Sequence, residues 1–114
     1  MPPHRPEYLG DVIAERKLSV EGHPELDITV RFGKPRRLEE LYRDGKDNGD
    51  MFCPFQILGI GDDGIHYSAG VDAVQALQLV MKKVTIELGV LKRDHGYEFR
   101  WLDDTDLGFP NIED

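Results

Sequence analysis

The sequence contains one cysteine, Cys53, among its 114 residues. A single cysteine excludes an internal disulfide and is typical of a protein kept in a reducing compartment. No apolar run approaches the roughly 20 residues that a helix needs to span a bilayer, and the polar, proline-rich start lacks the pattern of a signal peptide. The sequence therefore predicts a cytoplasmic protein that does not engage a membrane.

Positive charge is also scarce, because 14 lysines and arginines stand against 22 aspartates and glutamates, for a net charge of -8. Residues 1–46 hold nine of each sign, whereas residues 47–114 hold five basic and thirteen acidic residues. An acidic surface repels phosphate backbones, so we expect no nucleic-acid partner, and it suits a basic protein partner instead. A role in solubility alone explains the same charge without any partner.

The strongest pattern is a long amphipathic helix between Gly70 and Gly96. Asp72 is suited to cap its first turn, and Gly96 can adopt the left-handed conformation that ends a helix. Apolar side chains recur at steps of three and four residues, which places them on one helix face. That predicted face consists of Val74, Leu77, Met81, Val84, Leu88 and Leu91.

Apolar alternation and apolar runs bounded by turn residues predict the strands. These segments are residues 12–20, 26–32, 51–61, 65–69 and 97–101. Turn signals join the first two segments, and the next two, as hairpins. We therefore expect an α+β fold, with an antiparallel sheet of four to five strands and the long helix packed on one face. The last strand pairs either beside the first, in the order 4-3-2-1-5, or beside the fourth.

We expect a single domain over residues 1–114. An irregular lead-in covers residues 1–10, and an acidic tail covers residues 102–114. The connection at 33–50 contains a short helical turn and is longer than a compact domain normally needs, so it is either mobile or functional.

The turn at 61–64 predicts the register of the second hairpin, with Ile60 opposite Ile65. We place the helix on the side of these two residues. The reverse face bears Phe55, Ile57 and His66 and is too apolar to be left in water. We expect the connection and the tail to fold over that face, or a homodimer contact to cover it.

Cys53 and His66 are the residue types of a nucleophile and its base. The predicted register places His66 opposite Gly59, roughly 20 Å along the strand from Cys53. Because the two groups would be far outside hydrogen-bond reach, we expect Cys53 to be structural.

Metal and cofactor motifs are absent or incomplete. Residues 44–55 resemble the start of a calcium loop, but Lys46 and Phe55 occupy ligand positions. The glycines at 59, 61 and 64 do not match a phosphate-binding loop, and a strand follows where a helix is required. The four histidines, His4, His23, His66 and His95, share no metal spacing. We therefore predict no metal, no cofactor and no enzymatic activity.

Two charged pairs have alternative explanations. Asp62 and Asp63 lie between glycines, where aspartate is ordinary turn chemistry. Arg36 and Arg37 form a small basic cluster, which is either a solvated edge or a contact for an anion.

Three strings resemble a known family. They are Cys53-Pro54-Phe55 with Ile57 and Gly59; Gly70-Val71-Asp72-Ala73-Val74-Gln75-Ala76-Leu77-Gln78-Leu79; and Trp101 with Leu107-Gly108-Phe109-Pro110. Over residues 50–110 the chain is similar to a family of small bacterial proteins described as a domain of unknown function (DUF6968). The resemblance implies no activity and no catalytic or binding residues.

Two functional hypotheses follow. The first is a non-catalytic protein-binding domain that acts as a stoichiometric inhibitor, such as an immunity protein that masks a basic toxin. Its predicted contact residues are Asp62, Asp63, His66, Asp103, Asp104 and Asp106. The second is an anion-binding domain or small enzyme, with a pocket between the helix and the 33–50 connection. Arg36 and Arg37 would contact the anion there.

Overall fold

A six-stranded antiparallel sheet and one long helix make up the fold. The computed structural model describes residues 5–41 and 49–110. The elements are β1 (Val12–Val20), β2 (Ile28–Gly33), β3 (Arg36–Arg37), a 3-10 helix (Leu38–Leu41), β4 (Met51–Leu58), β5 (Ile65–Gly70), α1 (Ala73–His95) and β6 (Phe99–Arg100). The α+β prediction is confirmed, and the short strand β3 is the addition to the four or five strands expected.

The strand order is β5-β4-β2-β1-β6, with β3 paired to the start of β4 on the β2 side. This is the predicted order in which the last strand pairs beside the first. The helix carries the chain back across the sheet, so that β6 runs antiparallel to β1. β6 is shorter than the predicted 97–101 strand because the chain turns back at Trp101, which bridges to Asp104.

Both predicted ends of the helix are confirmed. The Asp72 carboxylate accepts a hydrogen bond from the backbone N–H of Gln75 at 2.8 Å. Gly96 has a left-handed φ of 71°, and its amide donates to the Lys92 carbonyl at 2.8 Å. These bonds satisfy backbone groups that a helix terminus otherwise leaves unpaired.

The buried stripe of α1 includes most of the predicted face: Val84 and Leu88 are buried, and Leu77, Met81 and Leu91 pack partly buried against the core. Its fully buried members are Ala76, Val80, Val84 and Leu88. Val74, which the periodicity assigned to this face, is 63% exposed. The stripe begins at Ala76 because the helix lies very close to the end of β5, where a Cβ on Gly70 would be 2.6 Å from the Ala76 nitrogen.

The register of the β4–β5 hairpin also differs from the prediction. Ile65 lies opposite Gln56 rather than opposite Ile60. The connection takes up more residues than a tight turn because it turns Ile60 into the core, where this residue is 8% exposed. Gly59 and Gly61, with φ of 92° and 73°, provide the left-handed backbone for that path.

The helix packs on the sheet face opposite to the one we predicted. Phe55 and Ile57 lie directly across from Phe32 and Val30 of β2, and all four belong to the same core as Val80 of the helix. The face expected to need a separate cover is therefore covered by α1. This removes the reason that we gave for a homodimer contact.

The other face of the sheet carries Phe52, which alternates with the core residues of β4 and is fully buried. The Phe52 ring packs edge-on against Tyr67, with their centroids 5.8 Å apart. Residues 5–10 form no regular element, as expected of the lead-in, but Pro6 and Leu9 are buried. A Cβ on Gly33 would be 2.1 Å from the Leu9 carbonyl oxygen, so this segment lies tightly against the sheet.

Two valine substitutions in α1 test the position of the buried stripe. Val80→Ala should lower the free energy of unfolding by about 2–3 kcal/mol, because it removes buried methyl groups and leaves a cavity. Val74→Ala brings the same gain in helix propensity but removes no buried group, so the free energy of unfolding should change by less than about 0.5 kcal/mol. Urea denaturation measures the free energy of unfolding of both variants. Equal losses of that free energy would contradict the observed buried face.

Candidate functional site

The acidic residues predicted to bind a partner lie at two opposite edges of the sheet. Asp62 and Asp63 precede β5, and Asp103, Asp104 and Asp106 follow β6. Since β5 and β6 are the two outermost strands, four strand spacings, or roughly 19 Å, separate them. The structure therefore gives two separate groups rather than one continuous patch.

The first group serves the turn before β5. Asp62 Oδ1 accepts from the Gly64 amide at 2.9 Å, and Asp63 Oδ1 accepts from the Gly59 amide at 3.2 Å. The Gly64 hydrogen bond holds the pKa of Asp62 below its ordinary value. His66 stacks on the Phe55 ring with a centroid separation of 5.4 Å. The prediction of turn chemistry for the two aspartates is confirmed.

The second group belongs to a turn formed by residues 101–104, which we call the tail turn. Trp101 and Asp104 exchange two backbone hydrogen bonds, both of 2.9 Å. The two residues between them, Leu102 and Asp103, have positive φ of 51° and 63°. This is the backbone of a type I′ turn, which normally carries asparagine, aspartate or glycine. Leu102 is 80% exposed.

Aspartate side chains fix the backbone that follows the tail turn. Asp104 Oδ1 accepts from the Asp106 amide at 3.0 Å, and Asp106 Oδ1 accepts from the Gly108 amide at 2.9 Å. The acidic tail is thus an ordered segment over its described part, residues 102–110.

Arg16 attaches this segment to the sheet. Its guanidinium carbon lies 3.7 Å from the centroid of the Trp101 ring and 5.0 Å from that of Phe109. Its Nη1 donates to the Leu107 carbonyl at 2.9 Å. Sequence reasoning missed this role, although the signal was present: Arg16 interrupts the apolar side of β1.

A cleft of about 780 Å³ separates the second half of α1 from the tail, and we call it the tail cleft. It is lined by Thr85, Leu88, Gly89, Lys92, Glu98 and Phe99 and by residues 105–110. This is the size range of small-ligand sites. The tail cleft is not the pocket that we predicted, since it lies against the tail rather than the 33–50 connection.

Gly89 is an unusual residue for its position in the tail cleft. Glycine inside a helix costs roughly 1 kcal/mol relative to alanine. The other glycines in the described ranges have a positive φ or a close neighbour at the Cβ position, but a Cβ on Gly89 would meet nothing within 4 Å. Neither the backbone nor the packing of the described residues requires a glycine here.

The predicted anion contacts lie beside a second cavity of about 510 Å³, lined by residues 5–8 and by Arg36, Glu40 and Leu41. The Arg36 guanidinium stacks on Tyr8 at 4.1 Å and on Phe52 at 4.9 Å, and it donates to the Tyr8 carbonyl at 2.8 Å. Its Nε is buried without a hydrogen-bond partner among the described residues. These contacts tie the lead-in to the sheet. Arg37 is exposed and pairs in β3.

Cys53 is closer to His66 than the predicted register placed it. It lies opposite Ser68, so His66 is a diagonal neighbour about 7–8 Å away rather than a distant residue. The thiol is fully buried and donates weakly to the Gly33 carbonyl at 3.5 Å. Burial raises its pKa to about 11, which keeps it protonated and unreactive at neutral pH.

Over residues 5–41 and 49–110, no three His, Cys, Asp or Glu side chains lie close enough together to hold a metal ion. His4 and residues 44–48 of the calcium-like run lie outside these ranges. Within the same ranges, no helix has the length and apolar character to cross a membrane.

Residues 14–111 match the family model of a domain of unknown function (DUF6968). The chain belongs to this family. The match extends further towards the start than the resemblance at residues 50–110 had indicated, so the β1–β2 hairpin is part of the DUF6968 domain. Searches among curated proteins and among solved structures gave no match. The family description itself assigns no activity.

The Arg16 contacts can be tested through the single tryptophan, Trp101. Arg16→Gln removes the ring stacking and the charged hydrogen bond, so it should lower the free energy of unfolding by about 1–2 kcal/mol. It should also shift Trp101 fluorescence to longer wavelength as the ring becomes wetter. Arg16→Lys keeps the charge without the planar stack, so its stability and its Trp101 emission should lie between those of the wild type and Arg16→Gln. Unchanged emission and stability in Arg16→Gln would refute the attachment.

The Cys53 thiol should resist alkylation in the native protein and react freely after unfolding in guanidinium. Its pKa rises from 9.0 to about 11 on folding, so the unfolded chain loses this proton first. Between these values the native state therefore loses stability as the pH rises. Denaturation of the wild type and of Cys53→Ala across this range isolates the effect. Identical pH profiles would show that burial does not hold the proton.

Proposed function

We propose that this protein is a cytoplasmic, non-catalytic binding protein that acts stoichiometrically on a basic protein partner. Its most specific form is an immunity-type inhibitor that masks a toxin. The observation that carries the proposal is Leu102, a large apolar side chain held in solvent on a left-handed backbone.

Leu102 is unfavourable for folding because its backbone is left-handed and because its side chain is exposed. A left-handed conformation costs a leucine roughly 1–2 kcal/mol, which asparagine or glycine largely avoids. The side chain is 80% exposed, so packing recovers little of that cost. Strained backbone positions cluster at ligand-binding and other functional sites, which supports a contact between this side chain and a partner. An apolar tip with a polar surround also matches the anatomy of a protein interface.

Charge around the tail turn supports a basic partner. Asp103, Asp104 and Asp106 are all exposed on this edge. Two cations lie beside the turn: Arg16 stacks on Trp101, and Arg100 is paired with Glu21 at 2.9 Å and donates to the Asp103 carbonyl at 3.3 Å. The three aspartates thus remain a local excess of negative charge, which would speed association with a basic surface.

The proposal assigns the partner contact to the tail turn rather than to Asp62, Asp63 and His66. Those residues lie at the opposite edge of the sheet. The anion-binding alternative has less support, because Arg36 is committed to Tyr8 and Phe52.

The partner to test is the protein encoded directly before this one, since an immunity gene is expected to follow its toxin gene. Leu102→Asn should weaken the complex about 5- to 30-fold, as the loss of a central apolar anchor does. The free variant should be at least as stable as the wild type because asparagine tolerates the left-handed turn. Calorimetric titration and thermal denaturation give the two readouts.

Leu79→Gln is the matched control, since Leu79 is an exposed leucine on α1, far along the chain from the tail turn. It should bind like the wild type. Affinity should also fall as salt is raised. A neighbour that fails to bind, or Leu102→Asn binding as tightly as the wild type, would contradict the proposal.

A further inference from the structure

The outer edge of β1 is open along most of its length. On one side β1 pairs with β2 as far as Leu18, but on the other side β6 pairs only with Ser19 and Val20. Since β1 lies between β2 and β6 in the sheet, no other strand of the described residues reaches this edge. Glu15 and Lys17 in the open stretch are exposed. The sheet therefore presents part of a strand edge to solvent.

The backbone groups that point out of the open edge belong to Glu15 and Lys17. In an antiparallel pair, alternate residues of a strand point their N–H and C=O groups to the same side. The Glu21 N–H donates to the Glu98 carbonyl at 2.9 Å, so the odd-numbered residues point towards the side of β6. No hydrogen bond from the described residues reaches Glu15 or Lys17 on that side. Two donors and two acceptors are thus available to an added strand.

The side chains along the open edge limit which strand can pair there. A bulge between Val12 and Ala14 ends the regular edge, and bulges and charges are what proteins use against indiscriminate edge pairing. Glu15 and Lys17 form no ion pair with the described residues. A strand with a basic residue opposite Glu15 and an acidic residue opposite Lys17 would gain from both pairs. It would also cover Val12 and Ile13, which are 45% and 49% exposed.

We infer that an extended segment of the basic partner pairs antiparallel with the open edge of β1, and this inference rests on the proposed function. β6 ends at Arg100 and the tail turn follows at 101–104, so the open edge begins where the tail turn leaves the sheet. A partner seated on Leu102 therefore reaches this edge. The backbone hydrogen bonds would supply affinity, and the residues opposite Glu15 and Lys17 would supply specificity.

A second copy of this chain fits the open edge less well than a segment of a different protein. Two β1 strands paired about Arg16 would place Glu15 of each copy opposite Lys17 of the other. The same register would place the start of each β1 against Ser19 of the other copy, where β6 already pairs. The open edge therefore suits a short segment of another chain.

Hydrogen exchange of the backbone N–H groups, followed by NMR on the isotope-labelled full-length protein, tests the pairing. In the free protein, Glu15 and Lys17 should exchange much faster than Arg16, whose N–H faces β2. Binding of the protein encoded directly before this one should slow the exchange of Glu15 and Lys17 by about tenfold or more. Unchanged exchange in the complex would overturn the inference. Protection of both residues in the free protein would indicate self-pairing and would also overturn it.

Lys17→Pro removes one of the outward N–H groups without removing a bond to β2, and proline is tolerated at such edge positions. It should weaken the complex about tenfold in calorimetric titration, because the added strand loses a backbone hydrogen bond and meets the ring. Lys17→Ala is the matched control, since it removes the charge but keeps the N–H, and it should weaken the complex less than about fivefold. Equal affinities of the two variants would contradict backbone pairing.

The outcomes separate this inference from the proposed function. Circular dichroism checks that both Lys17 variants fold, and the exchange measurement on the wild type stands without them. If Leu102→Asn weakens the complex but the exchange of Glu15 and Lys17 is unchanged, the edge inference alone fails. If both residues become protected but Leu102→Asn binds like the wild type, the contact assigned to the tail turn fails and the edge is an interface in its own right. If the neighbour does not bind, both proposals fail.

Discussion

The stacking of Arg16 on Trp101 determines the shape of one whole edge of this protein. A charged side chain on the inner side of β1 would be costly if it were left among apolar groups without a partner. The tail supplies two aromatic rings and a carbonyl oxygen as partners for the guanidinium, and these contacts attach the tail to the sheet. The tail turn, the wall of the tail cleft and the position of Phe109 against Phe32 all depend on the tail being held there.

Local signals were enough to predict the helix and the strand order. Asp72 and Gly96 mark the helix ends through bonds within four residues of each, so a sequence pattern contains all that is needed. The order followed from the direction in which a helix returns the chain. The β4–β5 register could not be predicted from the sequence, because it depends on the packing of Ile60 in a core formed by distant elements.

The same limit applies to the candidate site. Composition and spacing drew attention to the aspartates of the tail, and they identified the turn chemistry of Asp62 and Asp63. They did not reveal that Leu102 has a left-handed backbone, because nothing in its neighbours predicts a type I′ turn there. The cleft depends on the packing of residues 105–110 against α1, and Gly89 attracts notice only once the space beside it is known.

The hydrogen bond from Arg16 to Leu107 joins residues 91 positions apart. During synthesis on the ribosome, β1 and β2 emerge early and can form their hairpin from local contacts. The outer edge of β1 has no strand beside it until β6 and the tail have emerged. Contacts of such long range slow folding, and an unpaired strand edge is prone to pair with other chains. The late pairing of this edge with β6 leaves the nascent chain vulnerable to aggregation until residues 99–110 have emerged.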